Sequence, residues 1–417
     1  MPTLSLPTQI EDEEGWHASA RAHGVPGVNL YRLASYKSAS KIGKIQYLAL
    51  RAVWKCEERA LFDPQQWGLQ GVESARKRLS QLPHWKAFLN AVPRPVPVDE
   101  ILPVTGLGGF ELIWYYGQLI RGAPSAPDHE GNGTFTPVSQ RTRSQNKQPD
   151  NPDPFQPQTP GNAHHSDLTR LFFKMKHEGA EAPKPAVSPS NSCSPKTPED
   201  DLNLDPTYEE EDDDEEDDED TYPPVSDENV VNSYLAGFAS LVTMSVLGVK
   251  AHWSQERRGF KVRNNDIKLY EARTDGHLFL PNIKGSSAIV EVKPMMRWDS
   301  NRVMMQETAE MAAWIHAEPD DIQGQANDKR FLRLLLSMNR HEIYLIIAEY
   351  NVDYVKYLTN PYYKSSCQSF LTMNQFGPWD IGKREDVEDI GSLILAVTWQ
   401  FSRGLPLTRP SPSVKKR

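Results

Sequence analysis

The run Ala288-Ile-Val-Glu-Val-Lys sets Glu291 and Lys293 two residues apart. On a strand that spacing turns both side chains to one face, with Val290 and Val292 on the other. Asp275, followed by Gly276, is expected at the end of the preceding strand, sixteen residues before Glu291. If their strands are antiparallel neighbours, Asp275 comes opposite Glu291. Two converging carboxylates make a hard-oxygen site suited to Mg²⁺ or Mn²⁺, with the Val292 carbonyl as a further ligand. Such an ion polarises a phosphoryl oxygen and acidifies a bound water. An ammonium two residues along the strand can orient that water and stabilise growing negative charge. Residues of these types at this spacing suit phosphodiester hydrolysis.

Val-Glu-Val-Lys is also the pattern of any half-exposed strand whose Glu–Lys pair faces water, so the surroundings carry the argument. The next helix contains Gln306 and Glu310, four apart and on one face. That pair can hold a water, a phosphate or the outer ligands of an ion; plain solvation of the face is the alternative. Met311, Trp314 and Ile315 form an adjacent apolar stripe, read as core. Asp266 is the fallback ligand should Asp275 point elsewhere.

Asp275-Gly, Ala-Ile-Val-Glu291-Val-Lys293-Pro and Gln306-x3-Glu310-Met-x2-Trp-Ile, in this order, resemble the PD-(D/E)XK nuclease superfamily. More narrowly they are similar to its poorly characterised fungal nuclease-like members, over about residues 227–404. The segment from Ser226 to Leu235 resembles the first helix of those proteins, which often brings an acidic residue towards the metal; Glu228 is the candidate here. The resemblance implies an α/β fold with a restriction-endonuclease-like mixed sheet flanked by helices. It implies metal-dependent phosphodiester hydrolysis on DNA, with Asp275 and Glu291 as ligands of Mg²⁺ or Mn²⁺. Lys293 would be the water-positioning cation, with Gln306 auxiliary and Glu310 beside it. Function follows the site and not the fold. The second reading is therefore an inactive nuclease-like scaffold acting as an interaction or regulatory protein, including one in a fungal selfish or self-recognition system.

Several elements must position these residues. Residues 230–247 read as a buried helix. Strands are expected near 249–253, 260–262, 267–271 and 288–293, the last ended by Pro294. A helix follows over 303–316. Residues 342–350 (EIYLIIAEY) read as a strand with 352–358 (VDYVKYL) as its hairpin partner, and 387–401 as a final helix. The N-terminal region, residues 1–122, reads as mostly helical. Apolar residues recur every three or four positions over 45–62 and 72–92, and 110–120 is a further apolar helix. Trp16, Trp54, Trp67, Trp85 and Trp114 supply packing mass. Gly106-Leu-Gly-Gly-Phe lacks the strand and glycine spacing of a phosphate loop and reads as a turn.

Between these halves, residues 123–228 hold 16 of the 33 prolines and an unbroken acidic run over 209–220. Such a composition cannot offset its ordering entropy, so a disordered linker is expected. It contains one apolar island, 168–176 (LTRLFFKMK), and Ser-Pro or Thr-Pro steps at Ser188, Ser194 and Thr197 that suit phosphorylation. The net charge of −10 owes everything to the twelve-residue acidic run; the rest of the chain is at +2, and residues 229–404 carry 20 basic and 20 acidic side chains. A strongly basic nucleic-acid binder is excluded at the level of total charge. The local stretch from Lys250 to Arg273, with seven basic and three acidic residues, leads straight into Asp275. DNA is the expected partner there, and a protein partner would use residues 1–122 or the linker. Cys56, Cys193 and Cys367 lie too far apart for a zinc or disulfide framework. No signal peptide or membrane span is expected. Lys415-Lys416-Arg417, in the basic tail 405–417, has the character of a weak nuclear-import signal, so an intracellular and nuclear location is the expectation.

Overall fold

The computed structural model describes residues 10–94, 106–122, 227–244, 246–297, 301–364 and 369–409. The Pro-rich linker with its apolar island, its phosphorylation steps and its acidic run lies outside the described residues, as does the basic end of the tail.

Seven strands form one mixed sheet. They are β1 (Ala52–Glu57), β2 (His252–Ser254), β5 (Gly276–Phe279), β6 (Ala288–Lys293), β7 (Arg330–Asn339), β8 (Glu342–Asn351) and β9 (Leu371–Asp380), in the spatial order β1-β9-β8-β7-β6-β5-β2. The β1–β9 and β6–β7 pairs are parallel and the others antiparallel. A separate two-stranded ribbon joins β3 (Gly259–Asn264) to β4 (Ile267–Arg273). The helices are α1 (Glu13–Ala22), α2 (Lys44–Ala49), α3 (Val72–Leu79), α4 (Pro83–Ala91), α5 (Phe110–Arg121), α6 (Glu228–Met244), α7 (Asn301–Ala317), α8 (Val352–Thr359) and α9 (Arg384–Ser402).

The sheet has a core on each face, because its central strands are buried on both sides. Val290, Val292, Leu336 and Leu345 pack with Trp85 of α4, Phe110 of α5, Phe238 of α6 and Leu393 of α9. Ile289, Leu335 and Ile346, on the opposite face, pack with Trp16, Trp54, Trp314 of α7 and Tyr354 of α8, and with Phe260 and Tyr270 of the ribbon. Residues 10–94 and 106–122 thus contribute to both cores and supply an edge strand. All five tryptophans expected to pack, Trp16, Trp54, Trp67, Trp85 and Trp114, are buried.

Three local expectations are corrected. The periodic stretch 45–62 is not one helix: α2 ends at Ala49, Arg51 turns into left-handed backbone at φ 52°, and β1 begins. The stretch 72–92 divides into α3 and α4, with Pro83 opening the second, where a missing N–H costs nothing. Residues 352–358 form α8 and not a hairpin strand: the Asn351 side chain accepts the Tyr354 N–H at 2.9 Å, capping a helix at the end of β8. The hairpin partner of β8 is β7, joined through Arg340 at φ 51°. Gly106 and Gly108 form a turn before α5, as expected.

Candidate functional site

Strand β6 carries Glu291 and Lys293 on the face that also holds Ile289, while Val290 and Val292 enter the opposite core. Antiparallel pairing sets Gly276 against Val290, and the Asp275 N–H donates to the Val290 carbonyl at 3.0 Å. Asp275 therefore lies opposite Glu291, although it opens β5 and does not close the strand before it. The preceding strand, β4, pairs only with β3. Asp275 Oδ2 accepts the Val292 N–H at 3.1 Å, tying the carboxylate to β6. Gly276 is required by close approach: a Cβ there would stand 2.4 Å from the Ser254 carbonyl oxygen of β2.

The side chains converge as follows. Lys293 Nζ donates to Glu291 Oε1 at 2.7 Å and stands 3.8 Å from Glu228 Oε2, at the first turn of α6. Gln306 Nε2, from α7, bridges Glu291 Oε1 at 2.5 Å and Glu310 Oε1 at 2.8 Å. Arg257, exposed on the loop before the ribbon, lies 3.3 Å from Asp275 Oδ1. One turn along α6 from Glu228, Asn232 donates to the Asp275 carbonyl at 3.0 Å. Asp275, Glu291 and Glu310 are all buried. Glu291 Oε2, Glu310 Oε2 and Asn232 Oδ1 are buried without a hydrogen-bond partner. Buried polar oxygens are ordinarily satisfied, so the free oxygens of Glu291 and Glu310, two carboxylates bridged by Gln306, leave room for a further partner.

The charges that meet here are unequal in number. Glu228, Asp275, Glu291 and Glu310, if ionised together, carry four negative charges against the two positive charges of Lys293 and Arg257. Burial, then Asp275 and Glu310, hold the Glu291 carboxyl well above the usual range. Burial pushes Glu310 up to about 8, although Lys293 and Gln306 pull the other way. Glu228 is raised too, again chiefly by burial. Burial alone would lower Lys293, but Glu291, Glu228 and Asp275 more than offset it and keep the ammonium charged. The charge excess of two is what one divalent cation would neutralise, and all-oxygen donors suit Mg²⁺ or Mn²⁺. Among the described residues, no group of three or more His, Cys, Asp and Glu side chains is already spaced to grip an ion. Lys293 stands at the Glu291 oxygen instead.

The structure brings together Asp275, Glu291, Lys293, Gln306 and Glu310, all read from the sequence. It also draws in Glu228, from the first turn of α6. Asp266 lies exposed at the ribbon turn, the far end of β4 from Asp275. Sequence reasoning missed Arg257, Asn232 and a buried ion pair at the back of α7. Arg297 Nη1 donates to Glu307 Oε1 at 2.8 Å and to Asn339 Oδ1 at 3.1 Å, and Nη2 donates to Glu307 Oε2. The one available signal was Glu307, a carboxylate on the helix face of the apolar stripe. The helix α6 is too short and too polar to cross a bilayer, and no other helix among the described residues is long and apolar enough. Compared with known families and with curated proteins, the chain matches no family model and no curated protein.

Proposed function

We propose that this chain hydrolyses phosphodiester bonds in DNA with the help of a divalent cation, on a restriction-endonuclease-like arrangement of the PD-(D/E)XK kind. The observation that carries the reading is the convergence of Asp275, Glu291 and Glu310 around Lys293, with two buried carboxylate oxygens unpartnered. Asp275 and Glu291 would hold Mg²⁺ or Mn²⁺, with Glu310 and Glu228 in reach as further oxygen donors. When bound, the ion supplies polarisation of a phosphoryl oxygen and acidification of water.

The chain's own residues supply the rest. Lys293 stays an ammonium because carboxylates surround it, so it can orient a water and stabilise charge growing on the phosphoryl oxygens. Gln306 holds Glu291 and Glu310 in a fixed relation through one amide, which lowers the reorganisation needed at reaction. The Val292 N–H fixes Asp275 against β6. Four rigid elements, α6, β5, β6 and α7, therefore meet at one point.

A plasmid-nicking assay with Mg²⁺ and with Mn²⁺ tests this. Glu291→Ala and Lys293→Ala should each lower cutting by about 10²-fold or more, the size of losing one such electrostatic contact. Equal cutting by wild type and both variants would assign it to a contaminant. No cutting by the wild type with either ion would move the fold to the interaction-scaffold reading.

A further inference from the structure

We infer that the β3–β4 ribbon is the guide that seats duplex DNA on the site, by gripping one phosphate backbone without reading bases. The inference rests on the DNA-directed reading above and names the surface that would deliver that substrate.

The ribbon is two-sided. Phe260, Val262, Tyr270 and Ala272 are buried on one face. Phe260 stacks on Trp314 with ring centroids 6.3 Å apart, and Tyr270 donates to the Ala309 carbonyl at 3.1 Å, so α7 holds that face. Lys261, Arg263, Lys268 and Arg273 are exposed on the other. Glu271 sits among them and is neutralised locally, 2.9 Å from Arg273 and 3.7 Å from Lys268. Arg257 continues the positive charge at the base and reaches Asp275, while Arg258 is paired with Glu318 at 3.3 Å and its carbonyl accepts the Thr274 N–H. A basic strip about 20 Å long, at ~3.3 Å per residue, therefore ends at the carboxylates.

Chemistry selects the occupant. Charge of this sign and density, leading to the candidate site, fits a phosphate backbone. Single strands are commonly held by aromatic side chains that stack on bases. Both aromatic residues of the ribbon, Phe260 and Tyr270, are buried against α7, so the exposed face offers phosphate contacts and no stacking platform. That favours a duplex. Between duplexes, the DNA-directed reading above selects DNA, and an RNA duplex is an outcome of the test. The contacts are to phosphate, so they position and do not specify sequence.

The test is binding of the full chain to a labelled 24-bp DNA duplex in EDTA, by fluorescence anisotropy across a salt series. Replacing Lys261, Arg263, Lys268 and Arg273 together with Ala should weaken binding at least about tenfold at low salt and lower the log–log salt slope by about 3.6, at ~0.9 per lost phosphate contact. Arg263→Lys with Arg273→Lys should keep the slope. If the fourfold variant melts early, the single changes Lys261→Glu and Lys268→Glu serve, each expected to weaken binding. An unchanged slope in these variants would overturn the guide. So would tighter binding of a single strand or of an RNA duplex. Failure of the two readings is separable: ribbon-dependent binding without nicking leaves the guide standing and removes the catalytic reading, whereas nicking unaffected by the ribbon variants does the reverse.

Discussion

Glu310 is buried with one oxygen on Gln306 and the other unpartnered, and burial pushes its pKa up to about 8. The folded chain therefore holds a proton there through a range in which the unfolded chain has lost it. Folding binds protons, so this contribution to stability is full below about 4.5, falls as pH rises, and is gone above about 8. Glu291 and Glu228 shift in the same direction and add to the slope. Glu310→Gln should flatten the fall of melting temperature between about pH 5 and pH 8, with a gain on the order of 1–3 kcal/mol at the upper end. A slope unchanged from wild type would show that Glu310 does not titrate in this way. Cation binding should oppose the same penalty. Mg²⁺ or Mn²⁺ ought to raise the melting temperature more at pH 8 than at pH 5.5, since carboxylate ligands must be deprotonated to bind. If neither ion moved it at either pH, these carboxylates would not be a cation site.

Among the elements, what the sequence made legible follows from which signals are local. Alternation along β6 placed Glu291 and Lys293 on one face, and helical spacing paired Gln306 with Glu310, because both are properties of a single element. β7 escaped notice because Leu334 to Met338 is buried on both faces and shows no period of two. β9 was hidden by Gly377-Pro378, which reads as a breaker; Pro378 is exposed, beside the shift in register between Ile343 and Leu345 where no ladder donor is needed. The Arg297–Glu307 pair was invisible for another reason, since it joins the loop after β6 to α7 and also reaches Asn339 of β7. Its geometry suggests what it does: it fixes α7, and with it Gln306 and Glu310, against β6. Arg297→Met alone leaves the Glu307 charge buried and unpaired, and should destabilise by about 3–5 kcal/mol. Arg297→Met with Glu307→Leu should recover most of that loss in denaturant unfolding. A double variant as weak as the single would mean that the loop geometry itself, and not the uncompensated charge, is what Arg297 maintains.

On the scale of the whole molecule, the residues of the candidate site all lie beyond residue 226, yet their support does not. β1 pairs in parallel with β9 and covers an edge that would otherwise present unpaired backbone groups. Trp54, fully buried on that strand, donates from Nε1 to Thr308 Oγ1 at 3.1 Å, and the Arg297 guanidinium lies 5.5 Å from its ring. Thr308 adjoins Glu307 and is two residues from Glu310, so an N-terminal side chain packs against the helix that completes the site. Trp16 closes the same core, and Trp85, Phe88 and Phe110 close the other. A chain begun at residue 227 would open both cores at once, and its exposed apolar surface would exceed what a monomer of that size tolerates in water. Such a chain should lose its near-ultraviolet circular dichroism and its cooperative melt. Trp54→Ala in the full chain should cost about 3–5 kcal/mol and also lower nicking, because α7 loses its contact with β1. Trp54→Phe separates the two effects: it keeps most of the packing and removes the indole N–H that bonds Thr308. Near-normal stability with reduced cutting would place Thr308 in the chain of contacts that orients Glu310. Normal values of both would confine Trp54 to packing, and a sharp melt from the shortened chain would show that residues 227–409 fold without the N-terminal region.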